Sequence, residues 1–221
     1  MVEAKSVTKT YTVGRQTLKA VDDVSLSVAD GEFLSIMGHS GSGKTTLLSL
    51  IGGLTKPDSG VIMVQGKDLW SMHDDALSAF RNEKISFIYQ FSSLIPTLTV
   101  FENVLLPMVF GKRRDRIEER ARELLAIVGL EDKTDAYPAQ LSGGQQRRVA
   151  IARAFVTDPD LVLADEPTGD LDEESETEIM SFFKAMNETK GTTFVMVTHS
   201  STLAEKAGRR MKMSNGMLSA L

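Results

Sequence analysis

Eight residues, Gly38-His39-Ser40-Gly41-Ser42-Gly43-Lys44-Thr45, fit the pattern G-x-x-x-x-G-K-[ST]. Each residue type in it has a chemical task. Glycine lets the main chain curl until successive N–H groups point at one centre, a concavity suited to phosphate oxygens; Gly41 and Gly43 are expected where a Cβ would obstruct that approach. Lys44 supplies a point charge for β- and γ-phosphate oxygens, and the Thr45 hydroxyl suits a hard cation such as Mg²⁺. Gly38, Ser40, Gly41, Ser42, Gly43, Lys44, Thr45 and Thr46 are therefore candidate ligands of a nucleotide's phosphates. A second run, Leu141-Ser142-Gly143-Gly144-Gln145, opens onto a helical pattern. A helix start has N–H groups without partners and a positive dipole end, so Ser142, Gly143, Gly144 and Gln145 form a second candidate anion site. An ordinary serine cap followed by glycines is the plainer reading of that run.

Two adjacent carboxylates, Asp165 and Glu166, follow the apolar run Leu161–Ala164. Asp165 suits the holding of Mg²⁺ through its water shell, and Glu166 the orientation or deprotonation of an attacking water. Acid pairs are common at strand ends, so this pair gains meaning only beside a phosphate loop.

The positioning elements follow from hydrophobic pattern. Phe33–Met37, Leu161–Ala164 and Phe194–Val197 are continuous apolar runs, the mark of parallel strands covered on both faces. Each run releases polar residues at its carboxyl end: the Gly-rich loop and a helix start at Thr46–Ile51, then Asp165-Glu166, then Thr198-His199. Parallel strands would bring all three to one sheet edge. Lys5–Thr12, Val24–Val28 and Val61–Val64 are short, partly alternating and bounded by turn residues such as Pro57-Asp58-Ser59-Gly60 and Gln65-Gly66, which predicts an antiparallel region. Lys84–Tyr89 is strand-like. Beyond it the pattern turns helical, with Ile117, Leu124, Leu125 and Val128 on one face of 113–128 and a second helix over Gln145–Phe155. The expected fold class is α/β, a mainly parallel sheet with an antiparallel β subdomain and an inserted α-helical subdomain. One domain over 1–221 is expected, with 1–90 and 155–221 forming the core and 91–154 the helical lobe. The charge run Lys112-Arg113-Arg114-Asp115-Arg116 is followed at once by Glu118, Glu119 and Glu123, and reads as a solvated face with paired charges.

Composition removes several classes. A net charge of -5 lacks the basic excess of a nucleic-acid coat, so no nucleic-acid partner is expected, and the absence of cysteine excludes disulfides and thiolate metal sites. Met1–Thr12 has no apolar signal region, and the chain is expected to enter its fold directly. No apolar run reaches the ~20 residues of a membrane span, and Val100–Phe110 is broken by Glu102, Asn103 and Pro107. Any membrane role would need another chain.

The two Gly-rich motifs in this order, with Asp165-Glu166 between the second motif and His199, resemble the ATP-binding cassette (ABC) ATPases over essentially the whole chain. That resemblance implies ATP and Mg²⁺ as ligands, and a head-to-tail homodimer in which each Ser142–Gln145 signature closes on the γ-phosphate held by the other subunit. It assigns Gln90 to the loop glutamine that reaches Mg²⁺ and the catalytic water, and His199 to the switch histidine on the γ-phosphate. Tyr11 matches the aromatic that stacks on adenine, and Gly169-Asp170-Leu171-Asp172 the loop that crosses the dimer interface. The implied partner is an integral membrane permease, which places the subunit in the cytoplasm, peripheral to the inner face of the membrane.

The wording Leu94-Ile95-Pro96-Thr97-Leu98-Thr99, Glu102-Asn103-Val104, Leu106-Pro107 and Glu166-Pro167-Thr168-Gly169 resembles the lipoprotein-releasing and macrolide-exporting branch. Two departures stand out: Phe91-Ser92-Ser93, where those relatives have an aromatic followed by Asn, and Asp170 in place of Ala or Asn. A cassette that regulates a membrane complex such as the cell-division machinery, without transport, is the alternative. Cassettes working on DNA or ribosomes need a long coiled coil, cysteine zinc sites or two cassettes, and this chain has none of these. Asn215-Gly216 lies close to the C-terminus, so no added regulatory domain is expected. Val100, Leu105, Leu106 and Val109 stand either in the lobe's core or in the groove that receives the permease.

Overall fold

The computed structural model describes every residue except Arg15, Lys112–Asp115 and Asp170. A six-stranded sheet forms the centre. Its strands are β3 (Phe33–Met37), β6 (Ile85–Ile88), β7 (Leu161–Asp165), β8 (Thr193–Thr198), β9 (Arg209–Ser214) and β10 (Met217–Ala220), in the order β10-β9-β3-β8-β7-β6. All neighbours are parallel except the β9–β10 hairpin. Helices joining them are α1 (Lys44–Ile51), α2 (Asp74–Lys84), α3 (Val100–Val109), α4 (Ile117–Ile127), α5 (Gly143–Phe155), α6 (Glu173–Lys190) and the short α7 (Ser201–Ala204).

The apolar runs are continuous because both sheet faces are covered, and their residues alternate between two cores. Leu34, Ile36, Leu161, Leu163, Val195 and Val197 face α1 and the antiparallel strands. Phe33, Val162, Ala164, Phe194 and Met196 face α3 to α6, where Phe155 packs its ring 4.8 Å from that of Phe182. The antiparallel sheet has the order β2-β1-β4-β5, from β1 (Val2–Val13), β2 (Gln16–Val28), β4 (Ser59–Val64) and β5 (Lys67–Asp68).

Several elements exceed or escape the sequence reading. β1 and β2 have 12 and 13 residues, longer than Lys5–Thr12 and Val24–Val28. The first four residues of β2, Gln16 to Lys19, are exposed, so that end is held by its ladder to β1 and not by burial. The β9–β10 hairpin turns on Asn215 and Gly216, at φ 49° and 80°, the backbone that an Asn-Gly turn favours. Its strands carry mostly exposed side chains, so no apolar run marks them. α4 begins at Ile117, and residues 113–115 of the expected helix lie outside the described residues, as does most of the charge run. Arg116 does pair with Glu119, at 2.8 Å on an exposed surface.

In the helical lobe Thr99 and Glu102 cap α3 reciprocally, and the buried Asn103 amide holds the loop before it through the N–H of Ile95 and the carbonyls of Ile95, Leu98 and Thr99. Val100 is fully buried and Leu105 packs on the same core, so neither belongs to an open groove. Leu106 does line a groove, with Phe87, Tyr89, Phe110 and Arg153, and Val109 is exposed. Among the described residues no helix is long and apolar enough to cross a membrane.

Candidate active site

The loop from Gly38 to Gly43 joins β3 to α1, whose N-cap is Gly43 at φ 105°. A Cβ there would lie 2.0 Å from the Ala20 carbonyl oxygen, so only glycine lets the loop lie against β2. At Gly41 no protein atom stands within 4 Å of where a Cβ would be, and φ +76° is what calls for glycine there. Lys44 is buried and its Nζ donates to the carbonyls of Gly38 (2.7 Å) and His39 (3.0 Å). The Ser42 hydroxyl is buried without a hydrogen-bond partner among the described residues. A buried polar atom with no partner is costly, and a phosphate oxygen would satisfy it. The Ser42 carbonyl accepts from Gly216 N–H, whose own carbonyl accepts from Asp22 N–H, so the terminal hairpin braces the loop against β2.

β7 ends on Asp165, and its neighbour Glu166 takes a left-handed backbone, φ 45°, fixed by donation of its N–H to the Val197 carbonyl. Thr45 Oγ1 donates to Asp165 Oδ2 at 2.7 Å. Burial pushes the Asp165 carboxyl above its ordinary value; the Thr45 hydrogen bond opposes this, Glu166 adds to it, and Lys44 and Arg147 oppose it. The Glu166 carboxylate, 12% exposed, accepts from Thr198 Oγ1 (3.0 Å) and meets His199 Nδ1 (2.7 Å), while the His199 side chain is 73% exposed. An ionised carboxylate only accepts, which assigns the proton of that contact to Nδ1.

These groups converge on one cleft of about 640 Å³, lined by Tyr11, Leu18, Ala20, Ser40 to Thr46, Gln90, Asp165, Glu166 and His199. Tyr11 is 41% exposed, with the Lys9 amine 5.8 Å from its ring centre. Asp58 holds that strand end by accepting from Lys9 Nζ, Thr10 N–H and Thr10 Oγ1, bonds that lower its pKa to about 2. Gln90 lines the same cleft, its carbonyl held by buried Arg147 of α5, which also bonds the carbonyls of Tyr89 and Glu166.

A family model described as ABC transporter matches residues 21–169. The lipoprotein-releasing system ATP-binding protein LolD of Cytophaga hutchinsonii is 42% identical over 219 residues, covering 99% of this chain and 98% of that protein. The chain belongs to the ABC transporter family. It is also 43% identical, over 218 residues, to the macrolide export ATP-binding/permease protein MacB of Chlorobaculum tepidum, of which it spans 33%. Among solved structures, the dimeric bacterial ABC transporter cassette MJ0796 matches with a TM-score of 0.94 and 43% identity, over 99% of this chain and 96% of that one. The same cassette in a post-hydrolysis state with ADP and Pi matches at 0.94 and 42%, over 100% and 99%. Within the family the chain is an ABC ATPase of the LolD/MacB type, as its wording around Leu94–Thr99 implies, and the regulatory alternative is not favoured.

The cassette's signature lies apart from the cleft. Ser142 caps α5 through a reciprocal pair, Gln145 N–H to Ser142 Oγ (3.2 Å) and Ser142 N–H to Gln145 Oε1 (3.0 Å). The ordinary serine cap is thus present, and Gly143 has open space where a Cβ would be. Within one chain, then, the structure brings the loop, Tyr11, Gln90, Asp165, Glu166 and His199 together, but not Ser142, Gly143, Gly144 and Gln145. Leu18, Ala20 and Arg147 escaped the sequence reading, which placed Thr198 at the sheet edge without giving it a role. The first two sit where the β1–β2 ladder places Leu18 beside Tyr11, a pairing that depends on register. The departure at Phe91-Ser92-Ser93 is built into the lobe: Arg153 donates to the carbonyls of Ser92 (2.8 Å) and Ser93 (2.9 Å), Ser92 Oγ meets Gln146, and Phe91 stays 76% exposed. Asp170, the other departure, lies outside the described residues.

Because the folded state raises the Asp165 pKa, the native protein binds a proton there more tightly than the unfolded chain does. Ionised Asp165 therefore opposes folding above its folded-state pKa, and that penalty fades as pH falls toward the ordinary carboxylate range. Asp165→Asn is expected to raise the melting temperature of the nucleotide- and metal-free protein at pH 7, and to lose that advantage in melts at acidic pH.

Proposed function

We propose that the chain works as a single cassette over 1–221, with 1–90 and 155–221 as the nucleotide-binding core and 91–154 as the helical lobe, and that it drives a separate membrane permease from the cytoplasmic face. The LolD and MacB relatives support an export or lipoprotein-release type of transporter. ATP binds with its adenine on Tyr11 and its phosphates over Gly38 to Thr46. Lys44, already poised among carbonyls, exchanges the Gly38 and His39 oxygens for β- and γ-phosphate oxygens, and the unpartnered Ser42 hydroxyl gains an acceptor.

The residues present fit Mg²⁺: two hard oxygens, Thr45 Oγ1 and Asp165 Oδ2, lie 2.7 Å apart in the lining of the cleft, which Gln90 also lines. Thr45, Asp165 and Gln90 would hold the ion, which when bound supplies positive charge against the phosphate oxygens. Glu166 takes a proton from the attacking water, Gln90 orients that water, and the exposed His199 turns from Glu166 to donate its Nδ1–H to the γ-phosphate. The observation that carries this reading is the convergence of Thr45, Asp165, Glu166 and His199 on one cleft at the loop. Ser142, Gly143, Gly144 and Gln145 lie outside it, which supports a head-to-tail homodimer with two ATP molecules between the chains. In that arrangement each signature's N–H groups meet the γ-phosphate held by the other copy.

If Glu166 is the base, Glu166→Gln keeps ATP binding while turnover falls by at least ~10²-fold. Size-exclusion chromatography with ATP and Mg²⁺ should then show a stable dimer; a monomer at high concentration, or undiminished hydrolysis, would refute the assignment. The groove lined by Leu106 and Phe110 is the expected seat of a cytoplasmic helix of the permease. Leu106→Glu should leave melting temperature and basal ATPase activity near those of the parent and abolish co-purification with the permease from solubilised membranes. A large drop in melting temperature would place Leu106 in the core instead.

A further inference from the structure

Thr198 ends β8 at the same level as Met37 of β3, fully buried, one residue before His199. Its hydroxyl makes two hydrogen bonds whose polarity is fixed by their partners. Ser200 N–H can only donate, and reaches Thr198 Oγ1 at 3.0 Å. The hydroxyl's own proton is therefore free for Glu166 Oε2, also at 3.0 Å. A hydroxyl that accepts from a backbone N–H becomes a better donor, and this one is aimed by buried main chain on either side.

Glu166 needs such an anchor. Its backbone is held in the left-handed region by the Val197 carbonyl, but three side-chain torsions separate that backbone from the carboxylate. The other contact of the carboxylate is His199, whose side chain is largely exposed and so is a movable partner. We propose that Thr198 is a positioning residue for Glu166, its hydroxyl pinning Oε2 so that Oε1 is presented to the cleft whether or not His199 is in contact. The proposal rests on the reading of Glu166 as the base. It assigns the hydroxyl an effect on turnover and none on nucleotide affinity, since Thr198 does not line the cleft.

Thr198→Val keeps the shape and removes both hydrogen bonds; Thr198→Ser keeps the hydroxyl and removes the methyl. Steady-state ATPase assays are expected to give a kcat ~10-fold lower for the valine variant, the scale of a hydrogen bond to a charged group, with KM for ATP within about twofold of the parent. The serine variant should recover most of the parent's kcat. Since Ser200 caps α7, melting curves accompany the assays, and a serine variant that melts like the parent yet turns over like the valine variant contradicts the proposal. So does a valine variant with undiminished kcat, or one whose KM rises while kcat holds. Placing Thr198→Val on Glu166→Gln separates the two claims: residual turnover should fall no further, because the anchor acts through the carboxylate. A further ~10-fold loss there would overturn the positioning role and leave the base intact, whereas full turnover by Glu166→Gln alone would overturn the base.

Discussion

The hydrogen-bonded register of three parallel strands is the constraint on which the cleft depends. Met37 of β3 is level with Thr198 of β8, and Val197 of β8 with Asp165 of β7. One register therefore fixes the start of the Gly38–Gly43 loop, the Asp165-Glu166 pair and His199 at one sheet edge. A slip by one residue would turn every side chain of a strand to the opposite face, exchanging the aliphatic face of the β subdomain for the aromatic face of the helices. The alternation of Leu161, Leu163 against Val162, Ala164 forbids that slip, so the same burial that drives folding also holds the geometry.

A second layer of polar contacts ties mobile parts to that edge. Arg147, buried on α5, bonds carbonyls on both sides of the cleft: Tyr89 and Gln90 on the loop that enters the helical lobe, and Glu166 beside β7. Arg153, further along the same helix, takes the Ser92 and Ser93 carbonyls. A guanidinium with several donors in a plane suits carbonyls on separate segments, and a buried charge so placed is costly to strip of its partners. The helix that starts at Ser142 and the loop that carries Gln90 are thus one mechanical unit.

The sequence disclosed most of the cleft because its chemistry is written in adjacent residues. Gly38–Thr45 and Asp165-Glu166 are local patterns, and the apolar runs before them state the strands. What depends on distant pairing was not legible. Leu18 and Ala20 reach the cleft through the β1–β2 ladder, and the β9–β10 hairpin braces the loop at Gly216 although its strands carry mostly exposed side chains. Thr198 stood only as a polar residue after Phe194–Val197; that it ends β8 and turns its hydroxyl to Glu166 depends on the pairing of β8 with β7. Hydrophobicity also left α3 undecided between core and groove: Val100 is core, whereas Leu106 lines the groove, a distinction set by how the helix packs against the lobe.

The central claim is that one chain holds half of each hydrolytic site, with the signature acting on a nucleotide bound by a second copy. Ser142→Arg tests it most directly, since it adds bulk and charge at the start of α5 and leaves the chain's own loop, Tyr11 and carboxylates untouched. The account predicts that the variant, diluted to a monomer, binds ATP within about twofold of the parent while hydrolysis is lost at every protein concentration. ATP affinity falling in step with turnover in the monomer, or turnover persisting at the parent's rate, would contradict it.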